Sequence, residues 1–464
     1  MVNTVLRAAW LVGWVRILYM INAVEKHRKE ADLDRKPSRP VDIFNSRWLQ
    51  SFGYAFAALY LLYFVIVCRA GTWIVDSAGL PIYTDFGLWW AAGMQALHGN
   101  SAALYDPGEL AKIQAALFGP GDDFYPNWPY PPTILLVLAP LALLPYRYAF
   151  ITWDVATLLG CVAIVYLVVR QRAAIALSLA APFSAWSFLA AYNGFLTASL
   201  IGGSLLFLER RPVLAGVFIG CLTYKPQFGI LFPVALVASR HWRAVLSAAV
   251  TGGVLAALSN ALFGAAAWAA FPRGLFAQTD LNLMAGQDSN WGYLQTVYGL
   301  VRSLHGPAPL AWLVQGLVTL AGAVVVWIIW RSRVPYELKA AILSVAALLA
   351  TPYAFAYDMA AIVIPAAFLA TDQLRRGLLQ GEKTTWILLF GAPLAVLATL
   401  GDNAGGTTFG GTPVCLLAAF MLFCVILRRA LRSFGTPTII NGGLGLQPAP
   451  SNDRAPLALR SQCA

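Results

Sequence analysis

Apolar stretches long enough to cross a lipid bilayer recur along most of this chain. A crossing needs about 20 predominantly apolar residues, and 59% of the 464 residues are hydrophobic while only 11% are charged. A soluble domain is usually about 25% charged. So few charges cannot cover a water-facing surface of this size, which excludes a soluble enzyme, a disordered chain and a nucleic-acid-binding module. The sequence therefore predicts an all-α, polytopic integral membrane protein.

The net charge of +11 fits the same class. Lys and Arg of membrane proteins collect on cytoplasmic loops, so we interpret the basic clusters between the apolar stretches as cytoplasmic anchors. These anchors are Arg170–Arg172, Glu209–Arg211, Arg240–Arg243, Arg331–Arg333, Arg375–Arg376 with Lys383, and Arg428–Arg432.

The apolar stretches predict the transmembrane spans. They lie at 50–68, 131–146, 149–169, 173–190, 195–208, 212–224, 226–240, 243–263, 308–330, 337–352, 357–371, 384–400 and 413–428. If all the anchors are cytoplasmic, both ends of this set lie on the same side, and the number of crossings must be even. The set is odd. We therefore expect about 12 transmembrane helices, with one segment between 131 and 208 that does not cross.

The regions outside the spans are polar. Residues 1–24 have the spacing of an amphipathic interfacial helix, with a disordered tail as the alternative. Together with the charged linker they form a predicted cytoplasmic segment, 1–48. The transmembrane domain covers 49–432, with a first external loop at 71–130. Residues 433–464 predict a disordered cytoplasmic tail, since Gly, Pro and polar residues dominate them.

The loop at 71–130 is acidic, with Lys112 as its only basic residue besides His98, so we expect it to face away from the cytoplasm. Within it, residues 86–97 (FGLWWAAGMQAL) predict a helix at the outer interface. Asp85 stands directly before this helix and has two interpretations. Its carboxylate is a general base that removes a proton from an acceptor hydroxyl, or it merely caps the helix.

Lys225 lies between two apolar segments and is followed by Pro226. A buried ammonium there suits a lipid-linked phosphate, whereas the alternative is a lysine that snorkels at a helix end. Asp288 and Asp358 are equally partners of Lys225 or Arg273, or acceptors for sugar hydroxyls. Asp154, inside a predicted span, is expected to pair with a polar group on a neighbouring helix.

Two further patterns are weighed against ordinary structural roles. The aromatic run that includes Trp128 and Tyr130 is more typical of an interfacial belt than of a sugar platform. The cysteines and histidines show no zinc or redox spacing, so we expect no metal ion and no cofactor.

Five segments together resemble glycosyltransferase family 87, which includes polyprenol-phosphate-mannose-dependent mannosyltransferases. They are TDFGLWWAAGMQALHGNSAALYDP (84–107), YPPTILLVLAPLALLP (130–145), NGFLTASLIGG (193–203), YKPQFGILFPVALVASRHWRAV (224–245) and TPYAFAYDMAAIVIP (351–365). Their order and spacing carry the resemblance, which runs over roughly residues 80–370.

The resemblance implies the GT-C architecture and a polyprenyl-phosphate-sugar donor used on the non-cytoplasmic face of a bacterial-type inner membrane. It implies Asp85 as the catalytic base of an inverting transfer and Lys225 as a ligand of the donor phosphate, to which we add Arg273 and Arg302. The remaining expected contacts to the donor or to a lipid or glycan acceptor are Tyr83, Tyr130, Asn193, Gln287, Asp288, Asn290, Tyr353, Tyr357 and Asp358.

This chain departs from the family pattern at two places. The family often has Gln before the NG pair, where this chain has Tyr192, and His near the end of TPYAFAYD, where it has Tyr357 or Asp358. These departures bear on the identity of the sugar and of the acceptor. The expected sugar is a hexose, with mannose favoured, or a pentose. The rival classes are a lipid-linked glycan polymerase or ligase and a polyprenyl-lipid flippase or transporter. A transporter would need paired broken helices in corresponding halves, which the sequence does not show.

Overall fold

A computed structural model of the chain describes residues 47–82, 84–119, 128–181, 184, 187–188, 191–279, 294–386, 388–389 and 414–434. The secondary structure of these residues is helical, with two isolated bridges (Val75 with Pro81, Leu294 with Phe355) and no strand. The predicted all-α class is thus confirmed for this part of the chain. Most of the predicted segments 1–48 and 433–464 lies outside the described residues.

We number the helices in chain order, with η for 3₁₀-helices. The α-helices are α1 Arg47–Arg69, α2 Asp85–Leu97, α3 Pro107–Phe118, α4 Leu135–Ala142, α5 Tyr146–Val169, α6 Arg172–Ala180, α7 Gly194–Phe207, α8 Pro212–Cys221, α9 Phe232–Ala238, α10 Trp242–Phe263, α11 Ala265–Thr279, α12 Val297–Ser303, α13 Ala308–Arg331, α14 Tyr336–Ala350, α15 Val363–Arg376 and α16 Val414–Ser433. The 3₁₀-helices are η1 Ser101–Tyr105, η2 Pro132–Ile134, η3 Leu222–Tyr224, η4 Pro226–Phe228 and η5 Ala356–Ile362.

Three of the described helices, α5, α10 and α13, are long and apolar enough to cross a membrane. Five shorter apolar helical segments accompany them: 53–69, 132–142, 194–207, 212–224 and 226–238. These findings suggest a membrane protein, but the predicted 12 transmembrane helices are not confirmed. Several predicted spans are interrupted, because proline removes a backbone donor and disfavours helix at the residue before it.

The centre of the described fold is α14, in which nearly every residue from Leu338 to Ala350 is buried. Helices α13, α15 and α16 pack against it. A helix that is apolar all round belongs inside a bundle rather than at its surface. The composition of α14, mostly Ala and Leu, permits such close packing on every side.

Helices α14 and α15 connect two chemically different ends of the molecule. Glu337, at the start of α14, pairs with Arg375 at the end of α15, and this defines the basic end. At the other end, α14 leads into the segment 351–358 and α15 follows η5, so Asp358 lies there. A 14-residue helix such as α15 is about 21 Å long, which sets the separation.

Helices α7 and α8 span the same two ends. The start of α7 lies against η5, and its other end leads to Glu209 and Arg211. The hydroxyl of Tyr336 donates to the carbonyl of Leu205 at 2.5 Å, which ties α14 to α7 near the basic end. Helix α8 then returns to Lys225, and we call the end that holds Lys225 and Asp358 the Lys225 end.

Candidate active site

Asp85 is the first residue of α2, and Thr84 before it supplies the helix cap. The Thr84 hydroxyl accepts a hydrogen bond from the Gly87 backbone N–H at 3.3 Å and lies 3.1 Å from the Tyr146 hydroxyl. The interpretation of Asp85 as the cap is therefore wrong. The Asp85 carboxylate lies in the first turn, where the partial positive charge of the helix N-terminus favours the ionised form.

Helix α2 packs into the protein. Trp89 is fully buried, and its ring contacts those of Trp128, Tyr130 and Tyr192 at centroid distances of 6.4, 5.0 and 5.3 Å. Trp128 and Tyr130 are also buried. The predicted interfacial belt at Trp128 and Tyr130 is wrong, because these rings and that of Trp89 form the inner wall of the Lys225 end. The position of the helix at the outer interface stays a prediction.

Lys225 lies in the break between η3 and η4. Pro226 disfavours the helical conformation for the residue before it, and Lys225 has φ −138° and ψ 71°, outside the helical region. Its side chain is only 2% exposed. A snorkelling lysine would keep its ammonium in water, so that interpretation is wrong.

Asp358 is the partner of Lys225. The Lys225 Nζ donates to Asp358 Oδ1 at 2.6 Å, and the Asp358 side chain is fully buried. The second carboxylate oxygen, Oδ2, accepts from the Phe355 backbone N–H at 3.0 Å. An ammonium has three N–H donors, and Asp358 is the one acceptor that Lys225 meets among the described residues. Two buried donors are left for a ligand.

Aromatic rings surround the Lys225 ammonium. The ring centroids of Tyr357, Tyr192, Phe228 and Tyr130 lie 5.1, 5.6, 5.6 and 6.0 Å from Nζ. Such distances allow cation–π attraction, which is stronger where water is excluded. The rings therefore favour the charged form of an ammonium that is removed from water.

Hydrogen bonds hold this aromatic wall in place. The Tyr130 hydroxyl donates to the Tyr192 hydroxyl at 2.7 Å and accepts from Asn193 Nδ2 at 3.0 Å. The Trp153 indole N–H donates to the Tyr192 backbone carbonyl at 3.1 Å. Asn193 is fully buried, and its Oδ1 has no partner among the described residues. This oxygen is available to a ligand hydroxyl.

The glycine of the NG pair allows α7 to approach the segment that carries Asp358. A Cβ at Gly194 would overlap the Tyr357 backbone carbonyl and lie 2.8 Å from the Ser187 hydroxyl. Backbone atoms cannot yield as a flexible side chain does. Glycine at 194 is thus a requirement of packing between α7 and η5.

Asp85 belongs to the same site as the Lys225–Asp358 pair. Burial raises the pKa of Asp85 to about 7; the Lys225 charge opposes this rise and the Asp358 charge reinforces it. A carboxyl whose pKa lies near neutrality is suited to take a proton and to release it again. The structure therefore brings together one base candidate and one buried cation.

Comparison with known proteins gives one match. Residues 128–352 match glycosyltransferase family 87. The match covers just under half of the chain and confirms the resemblance predicted from the sequence. It supports a membrane glycosyltransferase. No curated protein and no solved structure matches the chain.

The family 87 match contains Lys225 and the wall residues Tyr130, Tyr192 and Asn193. Asp85 and Asp358 lie outside it, one on each side. The fold brings these two carboxylates to the matched segment, since α2 packs on α4 and η5 packs on α7.

The other predicted site residues do not all lie near the Lys225–Asp358 pair. Tyr353 packs edge-on against Phe355 at 5.0 Å and lies beside the wall. Arg273 is exposed on α11. Arg302 donates from Nη1 to the Gly306 carbonyl at 3.0 Å, and its described contacts do not include the Lys225–Asp358 pair. Tyr83, Gln287, Asp288 and Asn290 lie outside the described residues.

Sequence reasoning missed or misjudged several buried groups. Trp89, Trp153 and Phe228 are parts of the wall, and only the density of aromatic residues around the matching segments signalled them. The predicted polar partner of Asp154 is wrong, because both carboxylate oxygens are buried without a partner in the described part of the chain. Partners of this kind are set by helix rotation, which a single apolar span does not reveal.

Proposed function

We propose that this protein transfers a sugar, with mannose expected, from a polyprenyl-phosphate donor to a lipid or glycan acceptor. The observation that supports this proposal best is the buried Lys225 ammonium, with two N–H donors unused among the described residues, in one site with Asp85. The ammonium suits a phosphate, and the carboxylate suits proton removal from a hydroxyl. No metal ion or cofactor enters the proposal.

The reaction would run as an in-line displacement. Asp85 takes the proton of the acceptor hydroxyl while the oxygen of that hydroxyl bonds to C1 of the sugar. The bond between C1 and the phosphate oxygen breaks, and its electron pair stays on the phosphate. Lys225 stabilises that developing charge, and the configuration at C1 inverts.

The aromatic wall would hold the sugar. Asn193 Oδ1 is a buried acceptor without a described partner, and Tyr130, Tyr353 and Tyr357 add rings and hydroxyls beside it. We keep Tyr83, Gln287, Asp288 and Asn290 as expected contacts of the donor or acceptor, and Arg273 and Arg302 as secondary phosphate ligands. These assignments follow from the sequence.

The position of the site supports action on the non-cytoplasmic side of a bacterial-type cell membrane. The Lys225 end and the basic end lie at opposite ends of α14 and α15. Basic clusters mark cytoplasmic ends in membrane proteins. The Lys225 end would then face outward, where a lipid-linked donor can reach it from within the membrane.

The test is release of polyprenyl phosphate from radiolabelled polyprenyl-phosphate mannose by the purified full chain, with membrane lipids as acceptor. We expect Asp85→Asn to lower the rate by about 10²- to 10⁴-fold, the usual contribution of a general base, without loss of folded protein. Glu109→Gln is the matched control, since Glu109 is exposed and pairs with Lys112 on the same helix, α3.

Two outcomes would contradict the proposal. A full rate in Asp85→Asn would remove Asp85 as the base. No release by the wild-type chain from any polyprenyl-phosphate sugar would reject the donor class, and would favour a glycan polymerase, a ligase or a flippase.

A further inference from the structure

Asp358 and Lys225 use their hydrogen-bonding capacity very differently. Both oxygens of Asp358 are occupied, Oδ1 by the Lys225 ammonium and Oδ2 by the Phe355 backbone N–H. Within the described part of the chain, Lys225 uses one donor of three. A carboxylate held at both oxygens is fixed in position, and it fixes in turn the direction of the single bond from Lys225.

We propose that Asp358 is a positioning residue, which holds the Lys225 ammonium so that its two remaining N–H donors meet the phosphate of the donor. This inference rests on the proposed function, since it assigns the phosphate to Lys225. Asp358 itself contacts neither the sugar nor the acceptor in this arrangement.

The surroundings of Lys225 show why such a holder is needed. The four rings around the ammonium offer π-faces but no strong acceptor in the place of Asp358, and the side chain is 2% exposed. A buried ammonium without a partner is costly. Asp358 compensates the charge through a single hydrogen bond, and the donors that this bond does not use can engage a phosphate.

The frame behind Asp358 is built from backbone. Leu294 pairs with Phe355 in an isolated bridge, and the Gln295 N–H donates to the Ala354 carbonyl at 2.8 Å. The N–H that holds Asp358 is thus part of a short, cross-linked segment. The Phe355 N–H holds Asp358 in place, and Asp358 in turn holds the Lys225 ammonium.

The decisive variant is Asp358→Asn, which keeps the shape of the side chain. An amide has one acceptor end and one donor end, so it cannot accept from both Lys225 and Phe355. We expect the KM for polyprenyl-phosphate mannose to rise about 10- to 100-fold, the range of a hydrogen bond to a charged group. The rise in KM reports the weakened contact to the phosphate of the bound donor, and kcat should fall as well, because Lys225 also stabilises the charge that develops on the phosphate. Asp358→Glu keeps two acceptors and should recover part of the KM.

A double variant separates positioning from a merely structural role. Replacing both members of a buried ion pair by apolar groups is often neutral for stability. Lys225→Met combined with Asp358→Leu should therefore unfold near the wild-type temperature and still fail to bind donor. Asp372→Asn, a buried carboxylate of another ion pair at the basic end, is the matched control; it should lower thermal stability and leave the KM of the folded protein unchanged.

The failures of the two proposals are distinguishable. If the wild-type chain does not release polyprenyl phosphate, the proposed function fails. If the wild type is active and Asp358→Asn has the wild-type KM for donor, the function stands and the positioning role is overturned. The positioning role is also overturned if the double variant regains donor binding together with stability.

Discussion

Two buried ion-pair centres lie in the described part of the chain, one towards each end of α15, and they are built in opposite ways. At the basic end, the Arg429 guanidinium reaches Asp372, Glu382 and the Gly377 carbonyl, with bonds of 2.8 to 3.1 Å to the last two. A further N–H of Arg429 donates to the Asp372 carbonyl at 3.4 Å. At the Lys225 end, the ammonium makes one bond in the described part of the chain.

The difference fits a structural role for the basic-end cluster and the functional role that we propose for the Lys225 end. A guanidinium has five N–H donors, and the contacts of Arg429 account for all of them, so nothing remains for a ligand. The basic-end cluster joins α15, the segment that follows it and α16. Among the described residues, the Lys225 ammonium has unused donors and the Asn193 Oδ1 has no partner. The carboxyl of Asp85, whose pKa is raised, belongs to the same site. Shifted pKa values of this kind concentrate at functional sites.

The largest effect is expected when the basic-end cluster is broken. Arg429→Met would leave Glu382 buried without a cation and Asp372 with Arg376 alone, and breaking a buried ion pair typically costs about 3–5 kcal/mol. Thermal unfolding in detergent, followed by tryptophan fluorescence, should show a large loss of stability. Arg432→Met, on the exposed side of α16, is the control and should change stability by less than about 0.5 kcal/mol. Equal stability of both variants would contradict a structural role for Arg429.

The next largest effect is expected at the Lys225 end, and it is an effect on activity rather than on stability. Lys225→Arg keeps the positive charge, but a planar guanidinium does not fit a space shaped for a compact ammonium. With ring centroids at 5.1 to 6.0 Å, we expect kcat/KM to fall about 10- to 100-fold, which corresponds to about 1.4 to 2.8 kcal/mol. The assay is sugar transfer from the polyprenyl donor. A variant with wild-type kcat/KM would show that only the charge matters.

Gly194 lies at the Lys225 end and Gly377 at the basic end. Gly194→Ala places a Cβ against the Tyr357 carbonyl, and overpacking of this kind costs about 1–3 kcal/mol; it should also lower transfer activity, since η5 carries Asp358. Gly377 has φ 77° with nothing within 4 Å of its Cβ position. Gly377→Ala should therefore cost about 1–3 kcal/mol for the positive φ alone and leave the activity of the folded protein intact. Equal loss of activity in both would contradict the division into two ends.

The sequence predicted the all-helical class and singled out Asp85 and Lys225 for identifiable reasons. Low charge density indicates a membrane protein whatever the packing, and Asp85 and Lys225 stand out because charges are rare in apolar surroundings. Asp358 was one of two candidate partners for Lys225. The two residues are 133 positions apart in the sequence, and sequence spacing does not show whether residues so far apart meet in the fold. The aromatic wall was misjudged because interfacial and buried tryptophans have the same local sequence. The number of crossings stays a prediction, since Pro-interrupted segments such as those around Lys225 do not report whether they span.

The smallest expected effect concerns pH. Asp85 must be ionised to act as a base, and its pKa is raised to about 7, so transfer should be lost as the pH falls through about 7. Lys225, Asp358, Tyr192 and Tyr357 are the titratable groups that interact with Asp85. Asp358 raises the Asp85 pKa, and removing its charge should move the acid limb of kcat/KM to lower pH.

The matched pair for this measurement is Asp358→Asn and Asp372→Asn. Asp372 lies at the far end of α15, about 20 Å from the Lys225 end by helix length, and a Coulomb interaction weakens with distance. Its replacement should leave the acid limb in place, although it removes the same charge from an equally buried carboxyl. A shift of equal size in both variants would mean that net charge, rather than the geometry of the Lys225 end, sets the pKa of Asp85.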